Sequence, residues 1–397
     1  MRVVDAVIVG GGVTGVSIAF HLSKLGVRRI AVLERRFLAA GGTGRSVGIV
    51  RQLYPTPETT RMVRASLDVF RHFDDAVGGQ AGYVACGALI GVSPAMTPGL
   101  RAHVERQRAL NVRAEVLDPR DLVRLEPRID PTGLGAVLYE PDSGYGDPTA
   151  VTAGYAEAAR RLGASIEQGV ELTGIQADGG VVTGVSTTAG PIGTRVVVNA
   201  AGLWAPQVAR LAGLTLPIVV GRHPVFIIAR PASFGTAHMV YLDLAGGSYV
   251  RPETGDLTLT GSLTDDETQH PLDPELLGSE TGFEEASAAL ARTTQAIPAL
   301  ADARLHRGYA GAFDITPDWM PILDESSVRG FFTAAGMSGH GFKLAPMVGA
   351  MMAARITGAD SPISLTPFRG DRFAGRAGSG TFVSSYLAAE GSEEVRP

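Results

Sequence analysis

The sequence holds a single cysteine, Cys86, so neither an internal disulfide nor a cysteine-rich metal site can form. That cysteine reads as a small buried hydrophobe. No apolar run approaches the ~20 residues needed to span a bilayer, so no transmembrane segment is expected. The first strand-like run begins close to Met1 and leaves no room for a secretory signal, and the chain is expected in the cytoplasm. Charge of one sign is scarce as well: the formal net charge of −5 gives no electrostatic reason to expect nucleic acid or an anionic membrane as a partner. The eight histidines lack metal-ligand spacing, so no metal is expected, and no Ser-His-Asp arrangement can be argued. There is no internal repeat. What remains is an ordinary globular composition, 45% hydrophobic and 19% charged over 397 residues, enough for two or more domains with a sizeable core. Glycine is abundant at 51 residues, which suits tight turns and close backbone approach to a ligand.

The most informative segment is Val7-Ile8-Val9-Gly10-Gly11-Gly12-Val13-Thr14-Gly15, followed by Glu34. Val3 to Val9 is nearly unbroken apolar sequence, as expected for a parallel strand covered on both faces. Gly10 permits a sharp turn out of the strand, Gly12 lets backbone approach a pyrophosphate, and Gly15 lets the following helix pack closely. That helix, opening at Val13 and Thr14, presents free N–H groups and a positive dipole end to phosphates. Ile30-Ala31-Val32-Leu33 reads as a second strand. Glu34 falls 19 residues after Gly15, where a carboxylate can accept hydrogen bonds from a ribose diol. A glycine turn alone is common, but strand, turn, helix, second strand and acid together point to a bound dinucleotide. Arg35 and Arg36 follow as cofactor contacts or solvated charges.

Beyond residue 36 two patterns alternate. A glycine-rich loop, Ala39 to Val50, precedes a helix with Val63, Leu67, Val69 and Phe70 on its apolar face. From Tyr83 to Asp147 short strands such as Ala88 to Val92 surround a charged helix, Leu100 to Leu110. Helix Thr149 to Leu162 and a strand from Ala164 then return to the first pattern. Val181 to Thr187 and Gly193 to Val198 read as a hairpin, and Thr194 to Gly202 as a strand running into small residues. Residues 215 to 305 read as antiparallel, and Phe331 to Gly336 as a strand entering a second glycine turn before helix Lys343 to Ile356. The expected fold class is mixed α/β (α+β): a Rossmann-like domain of residues 1–84, 148–215 and 306–373, interleaved with an antiparallel β-rich substrate domain of 85–147 and 216–305. Residues 374–397 read as a tail, with Thr381 to Ala388 able to pack.

Three segments together resemble the FAD-dependent amine oxidoreductase family that includes sarcosine oxidase, dimethylglycine dehydrogenase and D-amino acid oxidase. They are Gly10 to Gly15 with Glu34; Thr43-Gly44-Arg45-Ser46-Val47-Gly48-Ile49-Val50-Arg51, similar to the flavin-edge loop of the sarcosine oxidase β-subunit branch; and Tyr309 to Asp318 with Gly336-Met337-Ser338-Gly339-His340-Gly341-Phe342-Lys343. The resemblance runs from about residue 4 to Phe373. It implies FAD as cofactor, with Thr43, Gly44, Arg45 and Ser46 at the flavin edge and Ala201 and Gly202 on a segment returning to it. It also implies Val170 at the adenine, and Gly311, Gly339, His340, Gly341 and Lys343 around the flavin ring. The glycine turn at a helix start would stabilise the negative charge of reduced flavin. Some relatives attach the flavin to a cysteine where this chain has Gly311, and others to a histidine that residues 35 to 71 lack, so the FAD is expected to be non-covalent.

The family reaction moves a hydride from the carbon beside an amine to flavin N5, and the imine product hydrolyses. Arg51 and Lys343 match the two family positions that hold a substrate carboxylate, a task suited to the planar fork of arginine. Each also has a plainer reading: an interdomain ion pair for Arg51, a helix-start lysine for Lys343. Tyr249 matches an active-site tyrosine or is a core tyrosine. Arg251 is a second carboxylate candidate or an edge-strand residue, and His340 could adjust flavin polarity or take a proton. The carboxylate-binding arginine that D-amino acid and glycine oxidases carry near Phe313 is missing. Threonine stands around Thr258 to Thr260, where monomeric sarcosine oxidases place an oxygen-activating lysine. The expected activity is therefore oxidation of a secondary or N-methylated amine, a small sarcosine-like amino acid, with O2 or an electron carrier as acceptor. A D-amino acid or imino acid dehydrogenase using a quinone or carrier is the alternative enzyme, and a non-catalytic FAD-binding assembly or regulatory subunit the alternative of another class. Homo- and hetero-oligomeric states both stay open.

Overall fold

The computed structural model describes residues 2–264 and 271–374. Its central layer is a six-stranded sheet with the spatial order Ile322–Glu325, Phe331–Ala335, Val197–Asn199, Ala6–Val9, Ile30–Glu34, Ser165–Gln168. The last five are parallel, and Ile322–Glu325 joins as an antiparallel edge. Because successive side chains alternate between faces, one strand serves two cores. Ala6, Ile8, Ile30 and Val32 face helices Val13–Lys24 and Gly341–Thr357. Val7, Val9, Ala31 and Leu33 pack beneath a smaller sheet containing Leu172–Asp178 and Val181–Thr187. The hairpin therefore joins Leu172–Asp178 to Val181–Thr187, while the expected second arm divides. Ile192–Gly193 and, beyond it, Arg2–Val3 complete the small sheet, and Val197–Asn199 enters the central one.

The second unit is an eight-stranded sheet ordered Arg304–Ile315, Val219–Ala229, Leu257–Ser262, Ser248–Pro252, Val240–Asp243, Ala88–Val92, Ala136–Glu140, Glu115–Leu117. Strands from the two sequence-distant segments meet where Val240–Asp243 lies parallel to Ala88–Val92. Arg304–Ile315 pairs along the whole of Val219–Ala229, from Ile315 opposite Val219 to Arg304 opposite Ala229. It thus crosses the expected boundary at residue 306 and belongs to this sheet up to Ile315. Apolar residues fill the space on both faces, with Leu89, Val137, Ile228 and Val250 in one cluster and Ile90, Leu138, Leu242 and Tyr249 in another. Beyond the last long helix the chain stays docked, since Arg372 pairs with Asp318 at 2.8 Å. The expected tail segment Thr381 to Ala388 lies outside the described residues. Among the described residues no helix is long and apolar enough to cross a membrane.

Candidate active site

A cleft of about 480 Å³ runs between the two units, at the carboxyl ends of the parallel strands, where open α/β sheets bind ligands. One end is made mostly of backbone. Gly10 has φ +114°, and a Cβ there would stand 2.3 Å from the carbonyl oxygen of Ala200. A Cβ on Gly15 would lie 2.0 Å from the oxygen of Gly10, so both positions admit glycine alone. Gly12 precedes helix Val13–Lys24 without any side-chain cap. Val13 N–H donates to Thr43 Oγ1 at 3.2 Å, which ties the flavin-edge loop to the helix start. Glu34 accepts from Gly11 N–H through Oε2 and from Arg36 N–H through Oε1, both at 2.8 Å, which fixes the carboxylate beside the turn. Gly10, Gly12, Val13, Thr14, Glu34 and Arg35 line this end with Val170, Ala201 and Gly202. Arg35 is engaged: it donates to Glu275 at 2.6 Å and lies 4.4 Å over the Trp204 ring, whose indole N–H donates to the same carboxylate at 2.7 Å.

Thr43, Arg45 and Ser46 line the middle of the cleft and Gly311 lies opposite, its Cβ position 3.4 Å from the Arg45 carbonyl oxygen. Gly15 and Gly44 do not line the cleft, contrary to their expected cofactor contact. A Cβ on Gly44 would meet the Ala39 oxygen at 2.5 Å, so both glycines serve backbone packing behind the surface.

The far end carries Asp314, Arg51 and Lys343. Asp314, buried at the base, accepts from Gly336 N–H at 2.8 Å and its carbonyl from Ser338 N–H at 3.0 Å. These bonds shape the turn in which Gly336, Ser338 and Gly339 all have positive φ. His340 closes that turn at the start of helix Gly341–Thr357. It is 2% exposed, and neither ring nitrogen has a hydrogen-bond partner among the described residues. Burial pushes its pKa well below the usual histidine value, and the charges of Lys343 and Arg51 add to the effect. Lys343 donates to the Gly339 carbonyl at 3.2 Å. Its pKa is likewise driven well down, first by burial and then by Arg51. Arg51, 1% exposed, leaves the short strand Ile49–Val50, donates to the Leu53 carbonyl and lies 4.7 Å over the Tyr54 ring.

Tyr249 faces this end from the eight-stranded sheet. Its hydroxyl lies 3.1 Å from His223 Nε2, and His223 stacks on Phe313 with ring centroids 4.5 Å apart. Sequence reasoning missed His223, because only the pairing of Val219–Ala229 with Arg304–Ile315 brings it opposite Gly311. Arg251 is the converse case. It is not among the lining residues: it pairs with Glu253 at 2.7 Å, donates to the Pro252 carbonyl and lies 4.4 Å over Tyr145. Two residues along a strand keeps the same face but moves roughly 7 Å, which carries Arg251 past the cleft. Among the described residues no cluster of metal-ligating side chains occurs.

The residues present fit a flavin dinucleotide. A helix start whose N-cap glycine offers no side chain, with the glycines before it, suits a pyrophosphate, and buried His340 leaves two ring nitrogens without a partner among the described residues, which a polar edge of a flavin would satisfy. The chain belongs to the family of FAD-dependent oxidoreductases denoted DAO, whose family model matches residues 5–355. FAD is the cofactor of that family. The chain is 30% identical over 362 residues to 4-methylaminobutanoate oxidase (formaldehyde-forming) of Paenarthrobacter nicotinovorans, an alignment covering 88% of this chain and 43% of the relative. With sarcosine oxidase subunit beta of Rhodobacter capsulatus it shares 27% identity, over 97% of this chain and 91% of the relative. The crystal structure of L-proline dehydrogenase from P. horikoshii superposes with a TM-score of 0.86 at 26% identity, covering 94% of this chain and 98% of that one. The chain spans less than half the length of several curated relatives, 43% of the methylaminobutanoate oxidase and 38% of human sarcosine dehydrogenase.

Proposed function

We propose that this chain oxidises a secondary or N-methylated amine bearing a carboxylate, a small sarcosine-like amino acid. The observation that carries the reading is that Arg51 and Lys343, from opposite ends of the sequence, line one end of one cleft beside the His340 turn. FAD, when bound in the cleft without a covalent link, would supply the hydride acceptor for the carbon next to the amine nitrogen. The chain's own groups bind and orient. Arg51 and Lys343 receive the substrate carboxylate, and desolvation makes each such contact stronger than in water. Tyr249, with His223 behind it, faces the amine and offers an oxygen through which the amine proton can leave before hydride transfer. The loss of two electrons and one further proton gives an imine, which water hydrolyses to a carbonyl compound and a free amine. The helix start at Gly341 would favour negative charge on a flavin held beside it.

The alternative reading, a D-amino acid or imino acid dehydrogenase passing electrons to a quinone or carrier, draws on the Thr258–Thr260 strand. Thr260 is taken up by a 2.6 Å bond to Thr293, and Lys343 is the one lysine lining the cleft. A non-catalytic role has a precedent in a relative, the pyruvate dehydrogenase phosphatase regulatory subunit of Mus musculus, 26% identical over 361 residues. Convergence of Arg51 and Lys343 on one cleft speaks for the enzyme. Assembly with itself or with other chains is part of the proposal, given the likeness to a sarcosine oxidase β-subunit, and the mass of the native particle tests it. The activity is tested by anaerobic titration of the FAD-loaded protein with sarcosine, N-methylated amino acids, D-amino acids, proline and a hydroxy acid. Bleaching of the oxidised-flavin band by a secondary amine is expected, and admitting air then separates oxidase from dehydrogenase. Reduction by no amine on the panel would overturn the reading.

A further inference from the structure

Behind Arg51 the β-rich unit buries a carboxylate that the proposed reaction does not use. Glu140 ends the strand Ala136–Glu140 and is fully buried. Its Oε2 accepts from the backbone N–H of Gln52 and from the Ser143 hydroxyl, both at 2.7 Å. Gln107, on helix Thr97–Ala109 and itself 1% exposed, donates through Nε2 to the Gln52 carbonyl at 2.8 Å and more weakly to Glu140 Oε1 at 3.4 Å. The backbone of Gln52 is thus held at both its N–H and its C=O, one in each flanking peptide group, by two side chains of the other unit. The residue so held is the immediate neighbour of Arg51. A carboxylate without water is costly unless charge and donors compensate it. Burial dominates and holds the Glu140 carboxyl above the usual carboxylate range, although Ser143, Gln52, the Arg51 charge and Gln107 each pull the other way. A bare packing role would be met by an apolar side chain. The combination of a buried carboxyl group and a two-sided clamp on the backbone next to Arg51 asks for something more.

We propose that Glu140 is a positioning residue for Arg51: with Gln107 it holds the backbone of Gln52 on both sides, so that the adjoining Arg51 remains directed at the cleft as an anion receptor. This rests on the reading of Arg51 as the carboxylate-binding group. It also makes anion recognition a joint property of the two units, because the arginine comes from one and its support from the other.

The test is acetate binding to the FAD-loaded protein, followed by the flavin difference spectrum, with the melting temperature recorded alongside. Wild type, E140Q, Q107M, R51M and the double variant R51M/E140Q are compared. E140Q is expected to raise the acetate Kd by ~10-fold, the scale of one charge-assisted interaction, and Q107M by about 3-fold. Adding E140Q to R51M is expected to weaken acetate no further, since the carboxylate acts through the arginine. A lowered melting temperature with acetate affinity within twofold of wild type would mean a structural role only, and would overturn the proposal. So would additive losses in the double variant. If R51M itself leaves acetate binding unchanged, the carboxylate reading of Arg51 falls and this proposal with it. If E140Q does not fold, Q107M and its double variant with R51M carry the same comparison.

Discussion

The two ends of the cleft are built by opposite means. At the nucleotide end, recognition is a matter of backbone: Gly10, Gly12 and the uncapped helix at Val13 come from one short stretch, and their spacing follows from where a Cβ cannot fit. At the end proposed to take the amine, the lining is made of side chains. Arg51, His223, Tyr249 and Lys343 come from four separate parts of the chain and meet only because two sheets close on each other. Backbone recognition leaves a local mark in a sequence, whereas side-chain recognition assembled across a fold does not.

Substitutions that break one end and spare the other sharpen the contrast. The largest effect is expected for Gly10→Ala, where a Cβ would meet the Ala200 oxygen at 2.3 Å on a residue with φ +114°. Purified protein should then carry almost no flavin, read as the ratio of flavin to protein absorbance. Next comes Arg51→Met. Removing a buried charge that pairs with a carboxylate costs about 2–5 kcal/mol, so kcat/KM for a carboxylate-bearing amine should fall by at least ~30-fold and up to ~4,000-fold, with flavin content unchanged.

Lys343→Met should cost less, ~10-fold or more in acetate affinity, and should change its pH dependence. The lysine pKa is lowered by burial and by Arg51, so the charge that attracts acetate is present at low pH and lost as pH rises through a value below the ordinary lysine range. Wild-type acetate affinity should accordingly weaken with rising pH, and that limb should vanish in the methionine variant. The smallest effect belongs back at the nucleotide end. Glu275→Ala removes the carboxylate joining Arg35 to Trp204 in a partly exposed ion pair, and FAD affinity measured by equilibrium dialysis should fall by up to ~5-fold.

Legibility in the sequence follows the same division. The strands around Gly10, the helix at Val13, Glu34 and the second glycine turn were readable because period, turn and acid lie within a few dozen residues. Arg51 and Lys343 became candidates through resemblance, since nothing local marks an arginine after a short strand as an anion receptor. His223 carried no signal: its role depends on a strand register set by residues far downstream. Arg251 misled because a strand position two residues from Tyr249 shares its face yet lies past the cleft, engaged by Glu253. Arg304–Ile315 blurred the domain boundary by extending one sheet into sequence that otherwise serves the other unit.

The order of strands in the central sheet carries a consequence for biosynthesis. Ala6–Val9 emerges first from the ribosome, yet one of its neighbours is Val197–Asn199, and the helix that follows it packs against Gly341–Thr357. The nascent chain therefore holds an unfinished sheet, with one edge and one apolar helix face waiting for partners made far later. The glycine turn at Gly10 exists early, but the cavity it serves closes only after residues 336–357 have been made, so cofactor loading waits for a segment more than 300 residues downstream.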